Sequence, residues 1–383
     1  MGLLVPLICT QVPALALQLG ITLDLRAPWN FVTCIAVVLV CLTCIQHAKT
    51  DMIVLDYSIG MAISGIAMDA IYMNLLVRPL DTFRHQKQKQ SARELPWFKR
   101  FIWAAQLCGS PRGVGWDHQT KNLPEHSAKT RREFVLSRLT SAAKHFMWFD
   151  LAQFYIMHNP AYKSGVAFAS QSFARRILAC SAYLVLHQCM GVIIHSSMAI
   201  LAVSCTSSEP SSWPTLCGKW EDAYTIRRFW GRTWHQFLRR FLVPFGQKMA
   251  LFLGFKPGTN GSSYTQLYTA FFFSGIAHVG GDAVLNPSRL GISFPFFMYQ
   301  AFAITFEDMI IAVARRAGVT ETKWTRRIGY VWVMCWFILT ATPWFTAIGV
   351  AGVESGGVVL SSKVFPPSLC NILVRSLVDS EFL

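Results

Sequence analysis

The chain has 383 residues, of which 53% are hydrophobic and only 14% charged, against the roughly 25% charged of a typical soluble domain. With a mean hydropathy of +0.37, this excludes an ordinary soluble domain and makes the bilayer the expected solvent. The 35 Lys+Arg against 20 Asp+Glu give a net charge of +15. No basic stripe with interleaved aromatics, recognition helix or zinc-finger spacing accompanies it, so the excess points to cytosolic loops and away from nucleic acid.

A membrane helix needs about 20 mainly apolar residues. Segment 2–23 reads as an uncleaved first span, because no basic region precedes its apolar run. Segments 31–46 and 53–77 follow, the latter with Asp69 inside it. The next stretch is dense in Arg and Lys (Arg78, Arg84, Lys87, Lys89, Arg93, Lys99, Arg100) and is expected to be cytosolic. From there 134–157 and 177–204 go out and back, returning the chain to the cytosol for Arg227, Arg228, Arg232, Arg239 and Arg240. Candidates 237–254, 264–281, 293–314 and 328–350 remain. If the first three all crossed, Arg315, Arg316, Lys323, Arg326 and Arg327 would fall on the far side, against the charge rule. One of them is therefore expected to be re-entrant or interfacial, and 237–254, short and interrupted by Pro244 and Gly246, is the choice. The expectation is an all-α polytopic membrane protein with about eight transmembrane helices around a buried reaction chamber. Its parts are N-terminal transmembrane helices over 1–77, a cytosolic basic loop over 78–133 and a transmembrane core over 134–383.

Eleven Cys lie scattered, many in apolar runs, and read as small buried hydrophobes. Cys41 and Cys44 form a CxxC inside a lipid-length run with no second pair. The ten His contain no HxxHH or HxxxH box, and no DxxxD-type carboxylate pair appears, which disfavours di-iron and magnesium–diphosphate chemistry. No metal is expected. Asp69, Asp150, Glu307 and Asp308 are expected to pair with loop arginines or to satisfy helix interiors, and His187 and His195, eight apart, to share one helical face.

Two constellations remain. The first is Phe229-Trp230-Gly231-Arg232-Thr233-Trp234-His235-Gln236, followed by Arg239 and Arg240. Interfacial anchoring explains its aromatics and arginines; a titratable group at the end of so dense a cluster also suits an anionic ligand. The second is Tyr268 to Asp282, where His278 follows Phe271, Phe272 and Phe273 and is flanked by Gly275, Ala277, Gly280 and Gly281. A histidine behind some ten mostly apolar residues lies deep in the membrane, where polar groups face a bundle interior or cavity. A core histidine satisfied by one hydrogen bond is the alternative.

These segments resemble a known family. Pro111-Arg112-Gly113-Val114-Gly115-Trp116-Asp117, with Lys121-Asn122-Leu123-Pro124, is similar to the "RGIGW … K-N-x-P" loop of wax-synthase-like proteins. Ala223 to Gln236 looks like that family's most characteristic block, and Ser274-Gly275-Ile276-Ala277-His278 is similar to its apolar helix bearing a single buried His. The resemblance runs in order over roughly residues 100 to 345. It places the chain in the wax-synthase-like branch of the membrane-bound O-acyltransferase superfamily, whose members move an acyl group from coenzyme A to a hydroxyl.

The resemblance implies that His278 is the general base. His235 stands where sterol and diacylglycerol acyltransferases have an asparagine, and is His here as in the wax-synthase branch; it implies a second catalytic role in positioning the thioester or stabilising charge. Trp230, Arg232, Trp234 and Arg239 are the expected residues for the coenzyme A donor. The short chain resembles fungal members that acetylate terpenoid or meroterpenoid alcohols in secondary metabolism. The implied reaction is acetyl transfer from acetyl-CoA to a lipophilic alcohol in a membrane, the endoplasmic reticulum by expectation, with membrane lipids as surroundings and no nucleic acid partner. A long-chain acyl-CoA:alcohol acyltransferase making wax or sterol esters would use the same residues. A polytopic transporter is the alternative outside enzymes, although no duplicated halves are visible.

Overall fold

The computed structural model describes residues 4–124, 130–160, 170–206, 208–359 and 368–372. Among these the regular structure is helical, with β pairing confined to isolated bridges. The long helices are α1 (Leu4–Leu23), α2 (Trp29–His47), α3 (Ile53–Ile71, continued by a π-helical turn Tyr72–Leu76), α4 (Trp97–Gly109), α5 (Arg131–His158), α6 (Phe173–Cys205), α7 (Arg239–Phe252), α8 (Asn260–Leu285), α9 (Phe294–Arg316) and α10 (Lys323–Glu354).

Six helical segments among the described residues are long and apolar enough to cross a bilayer: Leu4–Leu23, Trp29–His47, Ile53–Leu76, Phe173–Cys205, Pro287–Arg316 and Lys323–Glu354. The chain is a multi-pass integral membrane protein. The lipid-facing sides of these helices are apolar, with Leu7, Ile35, Leu39, Phe302, Met309 and Ile328 all exposed; in water such a surface would aggregate, whereas in a bilayer it meets its own kind. Length and hydropathy alone do not establish the expected count of about eight. Segment 134–157 lies in α5, whose charged residues keep it out of the six. Segment 237–254 forms the 14-residue α7 with Pro244 inside it. At 1.5 Å per residue it reaches about 21 Å, short of a hydrocarbon core of roughly 30 Å. Segment 264–281 lies in α8, whose 26 residues reach about 39 Å but carry too many polar groups to pass on hydropathy.

The chain divides into two compact units. The first comprises Met1–Thr50, Leu55–Asn122 and Lys219–Met334, the second Asp51–Val54, Leu123–Gly218 and Cys335–Leu383. In the first, α1 packs on α2 and α4, α7 on α8, and α8 on α9. The approach of α3 to α8 is backbone to backbone. A Cβ on Gly60 would stand 2.1 Å from the Gly280 carbonyl oxygen, and one on Gly280 would stand 1.8 Å from Ser64 Oγ. Gly280→Ala is therefore expected to destabilise by about 1–3 kcal/mol, as overpacked cores do, read as a lower melting temperature in detergent; an unchanged melt would show that α3 and α8 can part freely.

A buried ion pair ties three helices of this unit. Arg240 on α7, with 3% of its side chain exposed, donates through Nε to Asp69 Oδ1 on α3 (3.1 Å), through Nη2 to Asp69 Oδ2, and through Nη1 to the Leu107 carbonyl at the end of α4 (2.6 Å). Asp69 is one of the acids expected from the sequence to pair with an arginine, and Arg240 is the member of the basic cluster that meets it. Folding joins them, because an isolated charge in this core would be prohibitive.

The basic stretch after α3 is folded. Gly115 holds φ +78° at a place where a Cβ would stand 3.0 Å from His85 Nε2, and its N–H donates to Gln119 Oε1 (2.9 Å). Trp116 lies edge-on to both His85 and Trp103 (5.3 Å each). Asp117 accepts the Arg84 N–H (3.1 Å) and lies 3.2 Å from His118 Nδ1. Burial pushes the His118 imidazole below its ordinary pKa, although its Asp117 partner pulls the other way. The Gly-Val-Gly-Trp sequence thus serves packing here.

In the second unit α5 and α6 form an antiparallel hairpin. The Thr130-x-x-Glu133 spacing opens α5, with Thr130 Oγ1 accepting the Glu133 N–H (3.1 Å). Arg131, at that start, donates to the carbonyls of Val203 and Thr206 at the end of α6. The start of the hairpin and its end therefore lie together. Asp150 on α5 accepts the N–H groups of Leu369 (2.8 Å) and Cys370 (3.0 Å), so it caps a downstream segment in place of an arginine partner.

Candidate active site

His278 lies in the C-terminal half of α8, half-buried. Its Nδ1 is 2.7 Å from the Ser274 carbonyl oxygen one turn earlier. A carbonyl only accepts, so Nδ1 carries the proton and Nε2 carries the lone pair. The ring stacks on Phe297 of α9, with centroids 3.9 Å apart and planes at 32°. Tyr57 of α3 stands 6.1 Å away at 45°. Its hydroxyl meets Ser293 Oγ (2.9 Å), which donates to Asp282 Oδ1 (2.5 Å), while the Ser293 N–H donates to Asp282 Oδ2 (3.1 Å). Asp282, 1% exposed and one turn beyond His278, is thereby satisfied in a core that would otherwise reject it. The close α3–α8 approach brings Tyr57 to this place, with Gly281 leaving room for its ring.

The aromatic cluster is a tightly wound segment. Thr225 caps it by accepting the Arg228 N–H on Oγ1 (3.0 Å). A single turn, Ile226–Arg228, passes into a π-helical turn, Phe229–Thr233, which the Trp234 N–H closes onto the Phe229 carbonyl (2.8 Å). The wider π turn fans its indoles out. Trp230 meets Phe271, Phe296 and Phe297 at 5.8, 6.5 and 6.3 Å and donates through Nε1 to Gln300 Oε1 (3.4 Å). Trp234 stacks on Phe229 (5.7 Å) and lies 6.2 Å from Trp230. The His235 ring lies 5.2 Å from Trp234 and 5.1 Å from Phe237. Gln236 fastens the end of the segment by donating to the carbonyls of Trp230 (3.0 Å) and Trp234 (2.6 Å).

The two constellations, far apart in sequence, therefore share a wall. Phe297 touches both His278 and Trp230, and the contacts run on through Trp234 to His235. The arginines divide. Arg232 is exposed and stands 3.7 Å from Asp222, which also binds Arg228. Arg227 pairs with Asp308, and Arg240 with Asp69. Arg239, half-buried at the start of α7, has no ion pair among the described residues. So the basic stretch, uniform in sequence, is divided by the fold into arginines with acidic partners and one without among the described residues. No group of three or more His, Cys, Asp or Glu able to hold a metal occurs among the described residues.

The sequence reading missed Phe297, Tyr57, Ser293 and Gln300. A weak signal existed for Gln300, a polar residue seven before Glu307 in an apolar span. Phe297 and Tyr57 gave none, since aromatic residues in membrane segments are unremarkable.

The model of the membrane bound O-acyl transferase family matches residues 213–299, a range that holds both the aromatic segment and His278. The chain is 35% identical over 322 residues to "Acetyltransferase ple2" of Rhodocybe pseudopiperita, covering 81% of this chain and 82% of that one. It is 31% identical to "Acetyltransferase eriL" of Hericium erinaceus over 70% of this chain and 72% of the other. With "O-Mevalon transferase yanI" of Aspergillus niger the identity is 25% over 67% of this chain and 64% of that one. A half-buried imidazole protonated at Nδ1, an aromatic wall beside it and relatives of these kinds over most of their length lead to one conclusion: the chain belongs to the membrane-bound O-acyltransferase family.

Proposed function

We propose that the protein transfers an acetyl group from acetyl-CoA to a hydroxyl of a lipophilic secondary metabolite, a terpenoid or meroterpenoid alcohol, in the endoplasmic reticulum membrane. The observation that carries this reading is the hydrogen bond from His278 Nδ1 to the Ser274 carbonyl, which puts the imidazole lone pair on Nε2. An alcohol is a poor nucleophile at neutral pH, so attack on the thioester benefits from a group that removes the hydroxyl proton as the carbon–oxygen bond forms. The thioester carbon–sulfur bond breaks, and the coenzyme A thiolate leaves with its electron pair. Imidazolium then returns the proton to the medium, and no acyl-enzyme is needed. His235 lies at the far end of the Trp230–Trp234 wall, suited to holding the thioester or its developing charge. Trp230, Trp234, Arg232 and Arg239 would receive the donor, the two guanidiniums facing its phosphates. The names of the relatives, two of them acetyltransferases, support acetyl as the group moved.

The test is donor choice in membranes from an expressing host. Acetyl-CoA with a panel of terpenoid alcohols is expected to yield ester and free thiol together, and palmitoyl-CoA to yield neither. Ester from palmitoyl-CoA alone would convert the reading to a wax or sterol ester synthase, and thiol release with neither donor would remove transferase activity on these substrates altogether.

A further inference from the structure

One face of α9, with the residue that precedes it, carries Ser293, Phe297, Gln300, Ile304 and Glu307 at three- and four-residue steps, all of them buried. Each of the polar and aromatic members touches a different part of the site. Ser293 holds Asp282 and Tyr57, Phe297 stacks on His278, and Gln300 accepts the indole N–H of Trp230. Gln300 is itself 0% exposed and is aimed by its own donation to the Phe296 carbonyl (3.1 Å). Glu307, 6% exposed in a segment apolar enough to cross the membrane, accepts three N–H groups. They are the backbone N–H of Ile226 (2.7 Å) and Arg227 (3.2 Å), and the indole N–H of Trp332 (3.0 Å). A carboxylate at that depth is expensive. Here its donors are the amides that open the aromatic segment, whose peptide dipoles favour a negative group at that end. The neighbouring Asp308 reinforces the same point by binding Arg227 and Tyr264.

We infer that this face of α9 is a ruler that fixes the aromatic segment against the His278 imidazole, with Glu307 and Gln300 as positioning residues for acyl transfer. The inference rests on the proposed roles of His278 and of the Trp230–His235 segment. Phe297 and Glu307 are ten residues apart, which is about 15 Å of rigid helix. Glu307 sets where the segment begins, Gln300 sets where its first indole lies, and Phe297 sets where the base lies. Neither Glu307 nor Gln300 touches the reacting atoms, so their effect on rate is through geometry, where displacement by about 1 Å can lower a rate on the order of a hundredfold.

The experiment compares Glu307→Ala, Glu307→Gln, Gln300→Ala and His278→Ala in membranes, with activity normalised to enzyme content by quantitative blot. Glu307→Ala is expected to lose kcat on the order of a hundredfold with the KM for the alcohol nearly unchanged. Glu307→Gln, which keeps an oxygen for Ile226 and Trp332, should recover most of that loss, and Gln300→Ala should lose kcat to a lesser degree. Unaltered kcat in Glu307→Ala and Gln300→Ala, alongside an inactive His278→Ala, overturns the ruler and leaves the proposed function standing. A loss that Glu307→Gln does not relieve, or that appears as reduced enzyme content at constant kcat, makes Glu307 a stability residue and also overturns it. If Glu307→Ala does not reach the membrane, Gln300→Ala and Glu307→Gln decide the matter by the same split. An active His278→Ala removes the reading beneath.

Discussion

His278→Ala is expected to reduce acyl transfer by a factor of about 10² to 10⁴, the usual contribution of a positioned general base, while leaving enzyme content in the membrane close to that of the parent. The residue is half-buried and its Nδ1 hydrogen bond is to a carbonyl of its own helix, so truncation leaves a small void beside Phe297. Two controls sharpen the result. His278→Gln restores bulk and polarity without a base and is expected to be as inactive as alanine. His235→Ala removes a ring from the other end of the aromatic wall, and its loss is expected to be smaller or comparable. Turnover retained by His278→Ala, measured as thiol release with ester formation, would remove the imidazole from the mechanism whatever the behaviour of His235.

Asp69→Ala is expected to lower stability by about 3–5 kcal/mol, the usual result of taking one partner from a buried ion pair. The remaining Arg240 guanidinium would keep only the Leu107 carbonyl as acceptor, inside a core of Met73, Leu107, Phe241 and Phe245. The double variant Asp69→Leu, Arg240→Met removes both charges at similar volume, and is expected to recover most of the loss, because the penalty lies in the uncompensated charge. Thermal melts of detergent-solubilised protein measure both. Equal melting of Asp69→Ala and the parent would mean that water reaches the guanidinium, and with it that this part of the unit is not dry.

Two residues show how far the sequence could be read. His278 stood out because apolar neighbours on both sides make an imidazole expensive in lipid, and the cost is local to the residues that surround it in sequence. Arg240 did not. In sequence it belongs to a run of arginines beside aromatic residues, and nothing near it indicates that an acid some 170 positions earlier would claim it. Glu307 lies between these cases. Its burial in an apolar span was legible, but its ligands, the opening amides of the aromatic segment, are brought by a turn that no hydropathy pattern encodes. Length and hydropathy find six of the expected spans among the described residues for a related reason. Hydropathy measures contact with lipid, and α8, which carries the candidate base, packs against neighbours on both sides and can afford Ser, Thr, Gly, His and Asp.

By itself the sequence determined the solvent, the helical class, the family and the two segments that meet at the site. These follow from composition and from local patterns, in which each residue's cost depends on near neighbours. Only the tertiary structure decided which charges pair with one another, and that Phe297, Gln300 and Glu307 on a single helix face bring the imidazole and the aromatic segment together. Those are matters of distance between remote parts of the chain, set by the close passage of glycine backbones and by the need of every buried polar group for a partner.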